Sequence, residues 1–115
     1  MEQKDCIFCK IAKGEIPARV IHEDDLVVAF DDINPVAPVH FLVVPREHVA
    51  TLDDAAEGHA LLLGHMLWTA ARLAREKGVA EGGYRQVINC REAGGQVVPH
   101  LHLHILGGRQ MRRMG

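Results

Sequence analysis

The chain has no run of apolar residues approaching the roughly 18 to 20 needed to cross a bilayer, which argues against a membrane partner. It also lacks an excess of charge of one sign. Thirteen Lys and Arg against fifteen Asp and Glu give a net charge of -2, so there is no electrostatic footprint for a nucleic-acid backbone and no nucleic-acid partner is expected. The basic cluster Arg109, Arg112 and Arg113 is confined to a short tail and reads as a solvated chain end. The opening Met1-Glu2-Gln3-Lys4-Asp5 lacks the basic-then-apolar order of a secretory leader, and the expected location is cytoplasmic. Three cysteines cannot make an even disulfide framework, and a reducing compartment would keep them as thiols or metal ligands. Cys90, apart from the pair Cys6-x-x-Cys9, reads as a small buried apolar residue. Internal repeats, low-complexity tracts and long polar linkers are absent too. With 48% apolar content in 115 residues there is material for one core and too little for two, so residues 1–115 are expected to form a single domain with a short tail over 107–115.

What is present is an alternation of short elements. Ile7, Phe8 and Ile11 recur at near-helical spacing, and Gly14 and Pro17 supply a stop, which predicts a short helix from Cys6 to Lys13. Arg19 to Glu23 and Leu26 to Phe30 are apolar-rich runs split by Asp24-Asp25, a hairpin pattern. Two prolines make 34–38 a loop leading into an apolar strand from His40 to Pro45, expected to be central and buried. Leu62, Leu63, Met66, Leu67, Ala70, Leu73 and Ala74 follow helical spacing, predicting one long helix from about Ala55 to Lys77, ended by Gly78. Trp68 lies on its flank, as core filler or as part of a subunit contact. Two more strands follow, Tyr84 to Cys90 and Pro99 to Leu106. The fold class is therefore α+β, built on an antiparallel sheet.

The last strand carries the run His100-Leu101-His102-Leu103-His104. Alternation along a strand sends the three imidazoles to one side, spaced roughly 6.8 Å apart, and the leucines with Ile105 to the other. Just upstream, Gly94-Gly95-Gln96 is a place where backbone N–H groups can approach an anion closely. A phosphate cradle facing an imidazole cluster points to phosphoryl or nucleotidyl transfer, whereas a pure metal site would leave the glycine loop without a purpose. His22, His59 and His65 are expected to face solvent or pack incidentally.

The segment His100-Leu101-His102-Leu103-His104-Ile105-Leu106 matches the signature of the histidine triad family, three histidines separated by single apolar residues and closed by two more. The likeness extends through Ala29-Phe30-Asp31-Asp32-Ile33-Asn34-Pro35, Ala37-Pro38-Val39-His40-Phe41-Leu42-Val43-Val44-Pro45 and Gly107-Gly108-Arg109-Gln110-Met111, and it resembles the HINT branch, the purine nucleoside phosphoramidases. That resemblance implies a sheet of about five strands with one long and one short helix, extended across a homodimer. It also implies an enzyme in which His102 attacks the α-phosphorus of a purine nucleoside 5′-phosphoramidate and is transiently nucleotidylated. His104 would steady the phosphoryl oxygens, helped by backbone N–H groups near Gly95 to Val97, with His100 completing the triad and His40 behind it.

By the same resemblance Ile7, Phe8, Ile11, Phe30 and Ile33 match the slot for the base, Asp32, beside Asp31, the acid that holds the ribose hydroxyls, and Asn89, Gly95, Gln96 and Val97 positions near sugar and phosphate. Val97 departs from the serine common in the branch and brings no hydroxyl. A lone Cys-x-x-Cys needs two more ligands; the resemblance supplies His48 and His100, so that Cys6, Cys9, His48 and His100 would hold a structural zinc, with no organic cofactor. The alternatives are a non-catalytic purine-nucleotide-binding module and a dinucleoside polyphosphate hydrolase of the same family. The spelling Val98-Pro99-His100 resembles the latter, and the ending Gly107 to Met111 argues against it.

Overall fold

The computed structural model describes residues 5–114; Met1 to Lys4, part of the stretch read for a leader, and Gly115 lie outside the described residues. A short helix α1 (Ile7–Ala12) opens the chain, followed by β1 (Val20–Glu23), β2 (Val27–Asp31) and β3 (Val39–Pro45). The long helix α2 (Ala60–Glu76) crosses to β4 (Tyr84–Val87), and β5 (Leu103–Gly107) ends the regular structure. All neighbouring strands run antiparallel in the order β1-β2-β3-β5-β4, so β3 is central, as its apolar run required. Among the described residues no helix is long and apolar enough to cross a membrane.

The pleat sorts side chains into two cores. Val27, Ala29, Phe41, Val43, Leu103 and Ile105 face α2 and meet Leu62, Met66, Ala70 and Leu73, its buried stripe. Val28, Phe30, Leu42 and Val44 point the other way and meet Cys6, Phe8, Cys9 and Ala12 of the α1 segment. Each large apolar side chain so buried contributes about 1.5–3 kcal/mol. Six residues of α1 cover only part of their face, and the uncovered part is where the site lies.

Several boundaries differ from expectation. The long helix starts at Ala60, not Ala55, because Thr51 Oγ1 accepts the Asp54 N–H and Ala56 N–H donates to His59 Nδ1, which winds two tight 3-10 turns first. The strand expected over 84–90 stops at Val87, and the one expected over 99–106 begins at Leu103, since ladder pairing of β3 with β5 runs only from Val39 opposite Gly107 to Val43 opposite Leu103. Gly107 therefore belongs to β5 and not to the tail. Trp68 is not core: it is 56% exposed, with the Arg75 guanidinium 5.8 Å from its ring centre.

The histidines expected to be incidental are not. Asp24, in the turn between β1 and β2, accepts the N–H groups of Leu26 and Val27 on Oδ1, while Oδ2 is 2.8 Å from His22 Nε2 and 2.7 Å from His65 Nε2. Arg72 Nη2 lies 3.0 Å from His22 Nδ1, so one carboxylate ties the edge hairpin to α2. His59 Nε2 likewise reaches Glu47 at 2.7 Å. Burial works against the charged form of Asp24, but the bonds from His22, His65, Val27 and Leu26 outweigh it and hold the carboxyl well below the usual carboxylate range. Such a depressed acid contributes stability that is complete above its unfolded pKa of about 4 and is lost as pH falls toward the folded value. We expect Asp24→Ala to cost about 2 kcal/mol at pH 7. Urea titrations should show the gap to the parent present at pH 5 and shrinking toward pH 2.

Candidate functional site

Where the β3–β5 ladder ends, the chain bends at Val98–His100 and His100 turns inward, fully buried. Its Nε2 lies 2.9 Å from the Pro45 carbonyl, which can only accept, so the ring proton is on Nε2 and Nδ1 carries a lone pair. That lone pair meets Cys6 Sγ at 3.2 Å, Cys9 Sγ at 3.4 Å and His48 Nδ1 at 3.2 Å. Cys6 caps α1 through the Cys9 N–H, which explains why the first cysteine stands where it does. Burial, reinforced by neighbouring Cys6, pushes the Cys9 thiol up to about 11, and burial lowers His100 to about 4, aided by His48 and His102 against the bond to Pro45. Two sulfurs and two imidazole nitrogens thus converge within 4.8 Å of one another. Tetrahedral zinc bonds of about 2.0–2.3 Å put neighbouring N and S ligands about 3.5 Å apart, so this donor set fits a metal ion with little movement.

His102 sits two residues on, 5% exposed. Its Nδ1 is 2.7 Å from the His100 carbonyl, which places the proton on Nδ1 and leaves the Nε2 lone pair for the cavity. Phe8 stands edge-on to its ring with centres 5.1 Å apart, and the His104 ring is 4.9 Å away, closer than an ideal strand repeat because His102 lies just before the ladder. Burial lowers the pKa of His102, against the opposing effects of the His100 carbonyl and Asp32. Burial also holds His104 down at about 4, with His102 and His40 adding to it. At neutral pH these rings are uncharged nucleophiles and hydrogen-bond donors, not cations.

The cavity beside them measures about 810 Å³. Of the expected site residues, Ile7, Phe8, Ile11, Phe30, Asp31, Asp32, Ile33, Asn89, Gly95, Val97, His102 and His104 line it. Ile33 and Val97 are 91% and 89% exposed, an apolar rim open to solvent. Sequence reasoning missed Leu42, Val98, Asn34 and the connector Ile16 to Arg19, which also line the cavity. Leu42 was available from the pleat, two residues from His40 on the same face; Ile16-Pro17-Ala18 belonged to the stretch that resembles the family but was given no role at the site.

The glycine loop is not the open cradle expected. Gly95 N–H donates to the Glu92 carbonyl and Gln96 N–H to the Arg91 carbonyl, so both are spent inside a turn in which Gly95 has φ +80°. Gln96 does not line the cavity: its Nε2 donates to the Ala50 and Val98 carbonyls and its Oε1 accepts the Arg91 N–H. It pins the loop, as does Asn89 Nδ2 through the Gly94 carbonyl at 2.7 Å.

An α+β domain whose antiparallel sheet ends in alternating histidines beside an open cavity has the architecture of a histidine triad protein. The chain belongs to the HIT domain family, which matches residues 13–111. It is 44% identical over 111 residues to the purine nucleoside phosphoramidase of Escherichia coli, a match covering 96% of this chain and 93% of that one. Among solved structures it resembles a HIT family hydrolase from Legionella pneumophila, with a TM-score of 0.92, 51% identity and coverage of 94% and 96% of the two chains. It also resembles a Zn-bound histidine triad family protein from Mycobacterium smegmatis, with a TM-score of 0.80, 31% identity and coverage of 99% and 82%.

A Cβ on Gly94 would lie 2.4 Å from the Cys90 carbonyl oxygen, with backbone on both sides of the clash. Gly94→Ala is therefore expected to force the loop open and lower stability by about 1–3 kcal/mol, measured by denaturant unfolding.

Proposed function

We propose that this protein is a nucleotidyl hydrolase that cleaves the P–N bond of purine nucleoside 5′-phosphoramidates through a nucleotidyl-histidine intermediate on His102. The observation that carries this reading is the Nδ1 contact of His102 with the His100 carbonyl, which leaves an unprotonated Nε2 bordering the cavity. Nε2 attacks the α-phosphorus in line, the P–N bond breaks, and the amine takes up a proton from solvent entering past Val97, which brings no hydroxyl of its own. Water then displaces the imidazole from phosphorus and releases the nucleoside monophosphate. His104 donates to the phosphoryl oxygens as charge gathers there. Ile7, Phe8, Ile11, Phe30 and Ile33 supply an apolar slot for the base, and the Asp32 carboxylate suits two vicinal ribose hydroxyls. The relative named a purine nucleoside phosphoramidase supports the substrate class.

Cys6, Cys9, His48 and His100 would hold a structural zinc ion that ties α1, and with it Phe8, to the His102 strand. Free thiols at these positions suit the reducing cytoplasm, where we place the protein. We also assign a homodimer. The outer side of β4 is an open sheet edge, and Leu61, Leu67 and Trp68 are exposed on α2, so a second copy pairing along β4 would continue the sheet and cover both.

His102→Ala should lower adenosine 5′-phosphoramidate turnover by about four orders of magnitude while nucleotide binding survives, and quenched mass spectrometry of the parent should find one nucleotidyl group on His102. A parent that binds nucleotide and never turns over would favour the non-catalytic module instead. Elemental analysis should find one zinc per chain. Cys6→Ser should lose it and melt about 5–10 °C lower; equal zinc and equal melting would remove the metal from the account.

A further inference from the structure

His40 stands in β3 on the cavity face, diagonal to His104 across the β3–β5 ladder. The Val36 N–H points at its Nδ1 at 3.2 Å, so that nitrogen is an acceptor and the neutral ring carries its only proton on Nε2. Two acceptors compete for that proton: His104 Nδ1 at 3.0 Å and Asp32 Oδ2 at 3.3 Å. Asp32 is itself held by the Asn34 N–H on Oδ1, and it lines the cavity. Asp32, His40 and His104 also present ligand atoms within 4.8 Å of one another. A cation there would need the Nε2 lone pair of His40, which the Val36 contact denies it, so the trio is better read as a hydrogen-bond junction.

The junction bears on chemistry through His104. When His104 Nδ1 accepts from His40, the neutral His104 ring must carry its own proton on Nε2, the nitrogen left for the cavity. When the His40 ring tilts its proton toward Asp32, His104 Nδ1 loses that donor and the hold on the His104 tautomer weakens. Asp32 Oδ2 has no other hydrogen-bond donor among the described residues, so it is free to compete until something else occupies it.

We propose that His40 is a positioning residue whose single proton is divided between Asp32 and His104, and that ribose hydroxyls bound at Asp32 displace it toward His104, fixing the phosphoryl-facing donor only when a ribonucleotide is in place. The proposal rests on the nucleotide reading of the cavity. It makes the sugar a switch as well as a handle. A nucleotide without 2′ and 3′ hydroxyls can be driven onto the site by concentration, yet it leaves the junction in its resting division.

Long-range ¹H–¹⁵N spectra of the imidazoles, recorded on the full chain with saturating adenosine 5′-monophosphate and then with its 2′,3′-dideoxy analogue, test this directly. The ribonucleotide should shift the His104 nitrogens to the pattern of a ring protonated on Nε2 alone, and the dideoxy analogue should leave them at the averaged values of the free protein. With phosphoramidate substrates the dideoxy compound should lose about tenfold in kcat at saturation, beyond any rise in KM. Identical His104 spectra with both nucleotides, or a loss confined to KM, would overturn the switch and leave the hydrolase reading standing. Failure of the ribonucleotide to perturb any cavity residue would sink that reading and the switch together.

Discussion

The contact between His100 Nε2 and the Pro45 carbonyl is the constraint on which the site depends. It forms where the β3–β5 ladder has run out, so a strand carbonyl is met by a side chain instead of a neighbouring strand. By placing the His100 proton it aims the opposite nitrogen at Cys6, Cys9 and His48. By fixing the backbone of His100 it also presents the carbonyl that fixes the His102 proton. One carbonyl thus settles the protonation pattern of two histidines, and through the second of them the character of the cavity. No buried side-chain nitrogen or oxygen among the described residues lacks a partner, which is how this many imidazoles are tolerated in a low-dielectric environment.

The sheet makes the site possible through unequal covering of its two faces. Seventeen residues of α2 seal one face, while six residues of α1 leave a region of the other open, bordered by Phe8, Phe30 and Leu42. The same short helix bears the cysteines on its inner side and Ile7, Phe8 and Ile11 toward the cavity. Whatever holds Cys6 and Cys9 therefore also sets the apolar wall. The Cys2His2 cluster and the cavity lie on two sides of one helix, and they meet at Phe8, whose ring stands edge-on to both His100 and His102.

The parts legible in the sequence were those governed by local periodicity. Alternation separated His100, His102 and His104 from Leu101, Leu103 and Ile105, and the structure keeps that separation although the ladder covers only part of the run. Helical spacing found the buried stripe of α2, but its start was misread, because hydrogen bonds around Thr51 and His59 compete with an α-turn in a way no apolar pattern reports. Contacts between remote segments were invisible. His65 reaches Asp24 across 41 positions, and only the assembled fold turns it from an apparent spare into a partner; His40 was placed behind the triad, but its contact with His104 across 64 positions was not readable. Gln96 illustrates the converse: its place beside two glycines suggested a ligand contact, and the loop uses both ends of its amide to hold itself shut.

Burial is what makes the histidines chemically useful, and the effect differs around the cluster. His40, His100, His102 and His104 each have a pKa lowered foremost by desolvation, so none needs to lose a proton before acting at neutral pH. Asp32 works against this for His40, His102 and His104, because its charge favours their protonated forms. The net direction stays downward for all three, so the carboxylate tempers the effect of burial without reversing it. A carboxylate at this place also does what apolar groups cannot: it can accept hydrogen bonds from a polar part of a ligand. Once it does so its lone pairs are engaged by neutral donors, and its pull on the neighbouring imidazole protons weakens.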